Sequence, residues 1–259
     1  MQNLMTRVAI GAAVSAIAAS SASADCRRLV GVNDPTQPNA FTLTFDEAYG
    51  GTRVANITQS QIALEICDDG TARFVDYYQE CDSLTLPGGF ETGALTILIS
   101  DSQPQSWDAT TGEFTTNDLY AIHFEGDLSA FGIGSPFVLP GSSGGVVTFD
   151  TPTTGRIGMN WEGGAALPNP FDPTQFIPFT YTCQVNLAFE VDPGCATSGC
   201  SNDLDGDCTV GLSDLSVMLA NFGTTGPRVR PLEGDTNRDL SVDLTDLAAM
   251  LSQFGTDCN

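Results

Sequence analysis

The sequence predicts an all-β main domain, a sandwich or jelly-roll-like fold, followed by a small all-α unit at the C-terminus. Three observations carry this. From Cys26 to about Asp192 short apolar or period-two runs alternate with Gly, Pro, Asn and Asp clusters, no helical stripe interrupts them, and two helical stripes appear only after residue 210. Phe41-Thr42-Leu43-Thr44-Phe45 alternates cleanly, so one face should be buried. Further strand candidates are 61–67, 72–78, 94–100, 119–124, 146–150, 156–161 and 179–191. Asp69-Gly70 is a hairpin signal, and Pro87-Gly88-Gly89 and 140–145 read as loops. Strands at this spacing over about 165 residues fit one antiparallel domain better than an α/β arrangement.

Residues 1–24 read as a cleaved signal peptide. Arg7 precedes the small apolar run Val8 to Ala19, and Ala22-Ser23-Ala24 offers a small-x-small cleavage site. The run is well short of the ~20 residues that span a bilayer, so the expected chain is secreted, extracellular and without a membrane span. Its eight cysteines then read as disulfides. Proximity suggests Cys67 with Cys81, Cys195 with Cys200 and Cys208 with Cys258, leaving Cys26 for Cys183. Zinc is disfavoured because His123 is the only histidine. With 32 acidic residues against 9 basic ones, all arginine, nucleic acid and anionic membranes are excluded as natural partners.

The tail contains an internal repeat. Asp203-Leu204-Asp205-Gly206-Asp207-Cys208-Thr209-Val210 and Asp235-Thr236-Asn237-Arg238-Asp239-Leu240-Ser241-Val242 stand 32 residues apart, and the register continues through Asp214 and Asp246 to Phe222-Gly223 and Phe254-Gly255. Calcium explains the spacing, because a hard cation wanting 6–8 oxygen ligands suits a loop with oxygens at alternate positions and a carboxylate at the twelfth. Asp203, Asp205, Asp207 and Asp214 fill positions 1, 3, 5 and 12 of one loop, and Asp235, Asn237, Asp239 and Asp246 fill them in the other. Thr209 and Ser241 would supply backbone carbonyls at position 7, and Asp243 stands at position 9. Two Ca2+ ions are therefore expected. Val210 and Val242 should point inward and couple the loops. Leu215, Met218, Leu219 and Phe222, repeated as Leu247, Met250, Leu251 and Phe254, form apolar stripes on two helices that Gly223 and Gly255 can cap.

A loop with a single following helix, duplicated at the C-terminus of an exported chain, resembles a type I dockerin over roughly residues 202–258. The resemblance implies a small all-α domain that docks onto a cohesin-like protein; packing on the chain's own β domain is the other expectation. Cys208 and Leu240 stand at position 6, where the family commonly has Gly, and Leu212-Ser213 and Leu244-Thr245 stand at its recognition positions, often Ser-Thr. The domain reading is then 1–24 signal peptide, 25–192 β domain, 193–201 linker and 202–259 dockerin-like domain.

For the β domain the expected role is non-catalytic binding or adhesion, with a polysaccharide-degrading glycoside hydrolase as the alternative and a stabilising calcium cap as a third reading. Gly141-Ser142-Ser143-Gly144-Gly145 matches the G-x-S-x-G nucleophile elbow but leads into a strand and has no later histidine, so it reads as a loop. Glu113, Glu125 and Asp127, or Asp46 and Glu47, are conceivable hydrolase carboxylates. Trp107, Trp161, Tyr77, Tyr78 and Tyr181 could form a sugar-stacking platform, although strand aromatics usually serve the core. His123 should face away from Tyr120 and Ile122, as a simple strand histidine.

Overall fold

A computed structural model describes residues 26–192, Cys200 and 202–258. The expected signal peptide, nearly all of the expected linker and Cys195 lie outside the described residues.

The strands are β1 (Cys26–Asn33), β2 (Ala40–Phe45), β3 (Thr52–Cys67), β4 (Thr71–Cys81), β5 (Thr85–Leu86), β6 (Phe90–Glu91), β7 (Leu95–Gln103), β8 (Gln105–Ser106), β9 (Glu113–Phe124), β10 (Phe137–Phe149), β11 (Thr154–Asn169) and β12 (Asp172–Asp192). The expected sandwich is a closed barrel instead. From β3 the order runs through β2, β12, β11, β10, β9, β7 and β4, and β4 pairs back onto β3, giving eight positions. The long β3 and β12 are bridged by β2 near one end and by β1 near the other. Two short strands thus share one place in the ring. Twisted antiparallel strands of this length coil until their edges meet, which removes the free edges a sandwich would keep.

The predicted alternation holds where closure needs it: Phe41, Leu43 and Phe45 are buried. The region 141–145, expected as a loop, is the middle of β10, paired to β9 throughout and to β11 from Ser142 onward. Its small residues make room for large neighbours. A Cβ on Gly141 would stand 2.9 Å from the Tyr120 ring, and one on Gly145 would stand 2.6 Å from Met159. Tyr120 and Trp161 stack inside the barrel at 4.0 Å between ring centroids, and Trp161 Nε1 donates to the Tyr77 hydroxyl at 3.0 Å. The aromatics considered as a sugar platform are therefore buried: Trp161, Tyr77 and Tyr181 fill the core, and Trp107 and Tyr78 are also covered. Tyr120 and Ile122 face the interior while His123 is half-buried on the outside.

The disulfide expectations are also corrected. Cys26 bonds to Cys67 and Cys200 to Cys258, whereas Cys81, Cys183 and Cys208 are free thiols. The unforeseen β1 explains the first bond, since its register sets Cys26 opposite Cys67. Closing 41- and 58-residue loops stabilises the fold by about 4 kcal/mol each in the chain-entropy account.

The expected all-α dockerin-like domain is not formed. Residues 202–258 hold only two ten-residue helices, α1 (Leu212–Asn221) and α2 (Leu244–Gln253), among loops, a 3-10 turn and two isolated bridges. The apolar stripes do not seal helix to helix. Met218 and Met250 are buried with Val210 and Val242, but Leu219, Phe222, Leu251 and Phe254 remain exposed. This small core is built from loop valines as much as from helix residues. Among the described residues no helix is long and apolar enough to cross a membrane.

Trp161→Ala should destabilise the chain by about 3–5 kcal/mol, because the void it leaves is walled by Tyr120, Phe41 and Tyr181 rings that cannot collapse onto one another. Urea denaturation followed by far-UV circular dichroism measures this.

Candidate metal centre

Each acidic loop is drawn into a ring by its first and twelfth positions. Asp214 Oδ1 accepts from the Leu204 and Asp205 amides at 2.6 and 3.1 Å, while its Oδ2 accepts from Gly211 N at 2.7 Å. One buried carboxylate thereby ties the start of the loop to its end. Asp246 does the same in the second repeat, with Thr236 N at 2.9 Å, Asn237 N at 3.3 Å and Asp243 N at 3.0 Å. Asp203 and Asp235 at position 1 are equally buried and accept loop amides, Gly206 N and Cys208 N for the former, Asp239 N and Leu240 N for the latter.

The alternate positions point inward because each carboxylate accepts from the amide two residues on: Asp205 from Asp207, Asp207 from Thr209 and Asp239 from Ser241. As a result, Asp203, Asp205, Asp207 and Asp214 place ligand oxygens within 4.8 Å of one another, and Asp235, Asp239 and Asp246 do likewise. Asn237 lies beside the second group, its amide 2.9 Å from Asp239 Oδ2. Asp243 does not join: it is exposed, and its Oδ1 caps α2 by accepting from Thr245 N at 2.7 Å. Cys208 and Leu240 take the left-handed backbone at position 6, φ 73° and 67°, that glycine would adopt without strain.

Burial is the main cause that raises the Asp235 pKa to about 6, with the nearby Asp246 and Asp239 charges adding to it. The Asp207 carboxyl is held low by the Thr209 hydroxyl and amide. Among the described residues no basic group forms an ion pair with Asp235, Asp239 or Asp246. An all-oxygen, uncompensated donor set suits a hard divalent cation.

The two loops are locked together by exchange. Gly223 N donates to Val242 O and Gly255 N to Val210 O, each at 2.8 Å, and the bridges Thr209 to Asp257 and Thr225 to Ser241 obey the same 32-residue symmetry. Val210 and Val242 are fully buried, as their place in the repeat predicts.

Sequence reasoning missed how the tail sits on the barrel. All three arginines of 202–258 reach β4: Arg228 pairs with Glu80 at 3.0 Å, Arg230 with Asp76 at 3.6 Å, and Arg238 Nη2 donates to Val75 O at 3.1 Å. Arg230 also lies 5.9 Å from the Tyr78 ring centroid. The sequence signal was the clustering of one third of the chain's arginines between residues 228 and 238. The first two hydrolase candidates stand far apart, and two of the others are engaged in local turns. Glu113 opens β9 and Glu125 follows its far end, Asp127 accepts from Ser129 N, and Asp46 caps the turn 47–49.

No known protein family matches the chain, and no curated protein matches it.

Asp76 gives a pH signature to the docked tail. Burial raises its pKa to about 6, opposed by Arg230 and Arg238 and reinforced by Glu233. Between pH 4 and 6 the folded chain holds a proton that the unfolded chain has released, so stability falls as pH rises through this window. In Asp76→Asn that fall should be smaller by roughly 2–3 kcal/mol, read from urea midpoints at both ends of the window.

Proposed function

We propose that this chain is an exported calcium-binding protein in which each C-terminal acidic loop takes one Ca2+ and the ions hold the tail in its folded form. The observation that carries this is the duplicated oxygen cluster, with buried carboxylates at positions 1 and 12 and inward carboxylates between. Asp203, Asp205, Asp207 and Asp214 would hold one ion; Asp235, Asn237, Asp239 and Asp246 would hold the other, with the Thr209 and Ser241 carbonyls completing each set. Gathered carboxylates repel one another and resist burial, and a divalent ion relieves both costs, so metal binding and tail folding are linked. Export is supported by the leader-like first residues and by the two disulfides, which persist in oxidising compartments. The barrel then serves as the body on which the calcium unit rests.

Calorimetric titration of the full chain with calcium should show two sites. Asp214→Asn and Asp246→Asn should each remove one. Calcium at about 100 times its dissociation constant should stabilise the tail by about 2.7 kcal/mol per site, seen as a higher melting temperature that chelator reverses. No heat and an unchanged melting temperature would refute the reading.

A further inference from the structure

A cavity of ≈ 170 Å³ separates the barrel wall from the tail. One water needs only roughly 10–15 Å³, so a molecule of several heavy atoms fits. Leu98, Ala121, Pro136 and Val138 of the barrel and Val229 and Leu240 of the tail give it apolar walls. Asp76 faces this space and is 3% exposed. Both of its carboxylate oxygens are buried without a well-formed hydrogen bond, the adjacent Tyr77 amide giving only weak support.

Arg230 offsets the Asp76 charge through a long ion pair, but no neighbouring cation donates a hydrogen bond to it, and Arg230 Nη1 is itself buried without a hydrogen-bond partner. Arg230 Nη1 is 3.6 Å away, outside hydrogen-bond range, while Arg230 Nη2 is drawn to Glu233 at 2.6 Å. Arg238 also lines the cavity, but its Nη2 is donated to Val75 O. Buried carboxylate oxygens are costly to leave without donors. Asp235 adds a second acid at the wall, and burial lowers the pKa of His123, favouring its neutral form.

We propose that this cavity is a binding site for a small organic cation, an alkylammonium whose N–H groups donate to Asp76 and whose hydrocarbon lies against Leu98, Ala121 and Val138. A hard metal ion does not suit the place, because it wants six or more oxygens and the walls are largely hydrocarbon. A neutral alcohol would satisfy one oxygen without matching the charge. The site rests on a barrel residue and does not require metal in the loops.

The test is titration of the full-length protein near neutral pH with n-butylammonium and, separately, with its neutral isostere n-butanol, followed by calorimetry and by NMR shifts of His123. Runs in calcium and in chelator separate a failure of the metal loops from a failure of this site. The ammonium should bind at least about tenfold more tightly than the alcohol. Asp76→Asn should bring it down to the alcohol's affinity. Val138→Trp, which fills the half-exposed mouth while leaving Asp76 intact, should abolish binding of both. Equal affinity for the two ligands, indifference to either variant, or no ammonium binding up to about 50 mM overturns the proposal.

Discussion

The fold depends on β3 being paired along both of its edges. Its register with β4 on one side and with β2 and β1 on the other turns an open sheet into a ring, and each inward side chain then has neighbours across the barrel as well as beside it. That enclosure is what makes the Trp161 and Tyr120 stack a core rather than a surface patch. It also fixes which residues of β4 face outward. Asp76, Tyr78 and Glu80 alternate with the inward Tyr77 and Gln79, so the two acids and the Tyr78 ring between them form a track along the outer wall, covered by the tail. The tail's arginines lie on that track.

Charge organises the rest of the molecule. A chain with a net charge of −23 gathers eight of its 32 acids in the loop segments 203–214 and 235–246 and has no lysine at all. Three of its nine arginines stand at the junction of tail and barrel, where Arg230 is shared between Asp76 and Glu233. The loop carboxylates at Asp235, Asp239 and Asp246 have no such partner among the described residues, and uncharged donors orient them: backbone amides, the Thr236 hydroxyl and the Asn237 side-chain amide. The same shortage of positive charge leaves Asp76 incompletely satisfied.

Local signals were legible in the sequence and nonlocal ones were not. The alternation of Phe41, Leu43 and Phe45 revealed a half-buried strand, and the 32-residue offset revealed the two loops, because both patterns are written in neighbouring residues. Closure was not legible: a sandwich and a barrel use the same alternating strands and differ only in which edges meet. Residues 141–145 read as a loop because glycine and serine are turn formers; their strand role appears only once Tyr120 and Met159 are known to fill the space above them. The Cys26 to Cys67 bond was hidden because β1, with its mixed pattern of arginines and valines, did not look like a strand. The helical stripes were read correctly as helices, but the expected all-α dockerin-like domain failed because loop valines, rather than the full stripes, close the small core.

The exchange between the two loops has a bearing on how such a tail can be assembled. Gly223 of the first repeat is satisfied by Val242 of the second, and Gly255 of the second by Val210 of the first. A polypeptide with one repeat would leave its valine carbonyl and its helix-end amide unmet, yet it carries both halves of the bond and could meet them with a second copy of itself across a twofold axis. Joining the copies in tandem converts that bimolecular encounter into an intramolecular one, whose effective concentration dilution cannot lower. In the extracellular setting proposed for this chain, where a monomer would be widely dispersed, covalent pairing keeps both loops closed at any abundance.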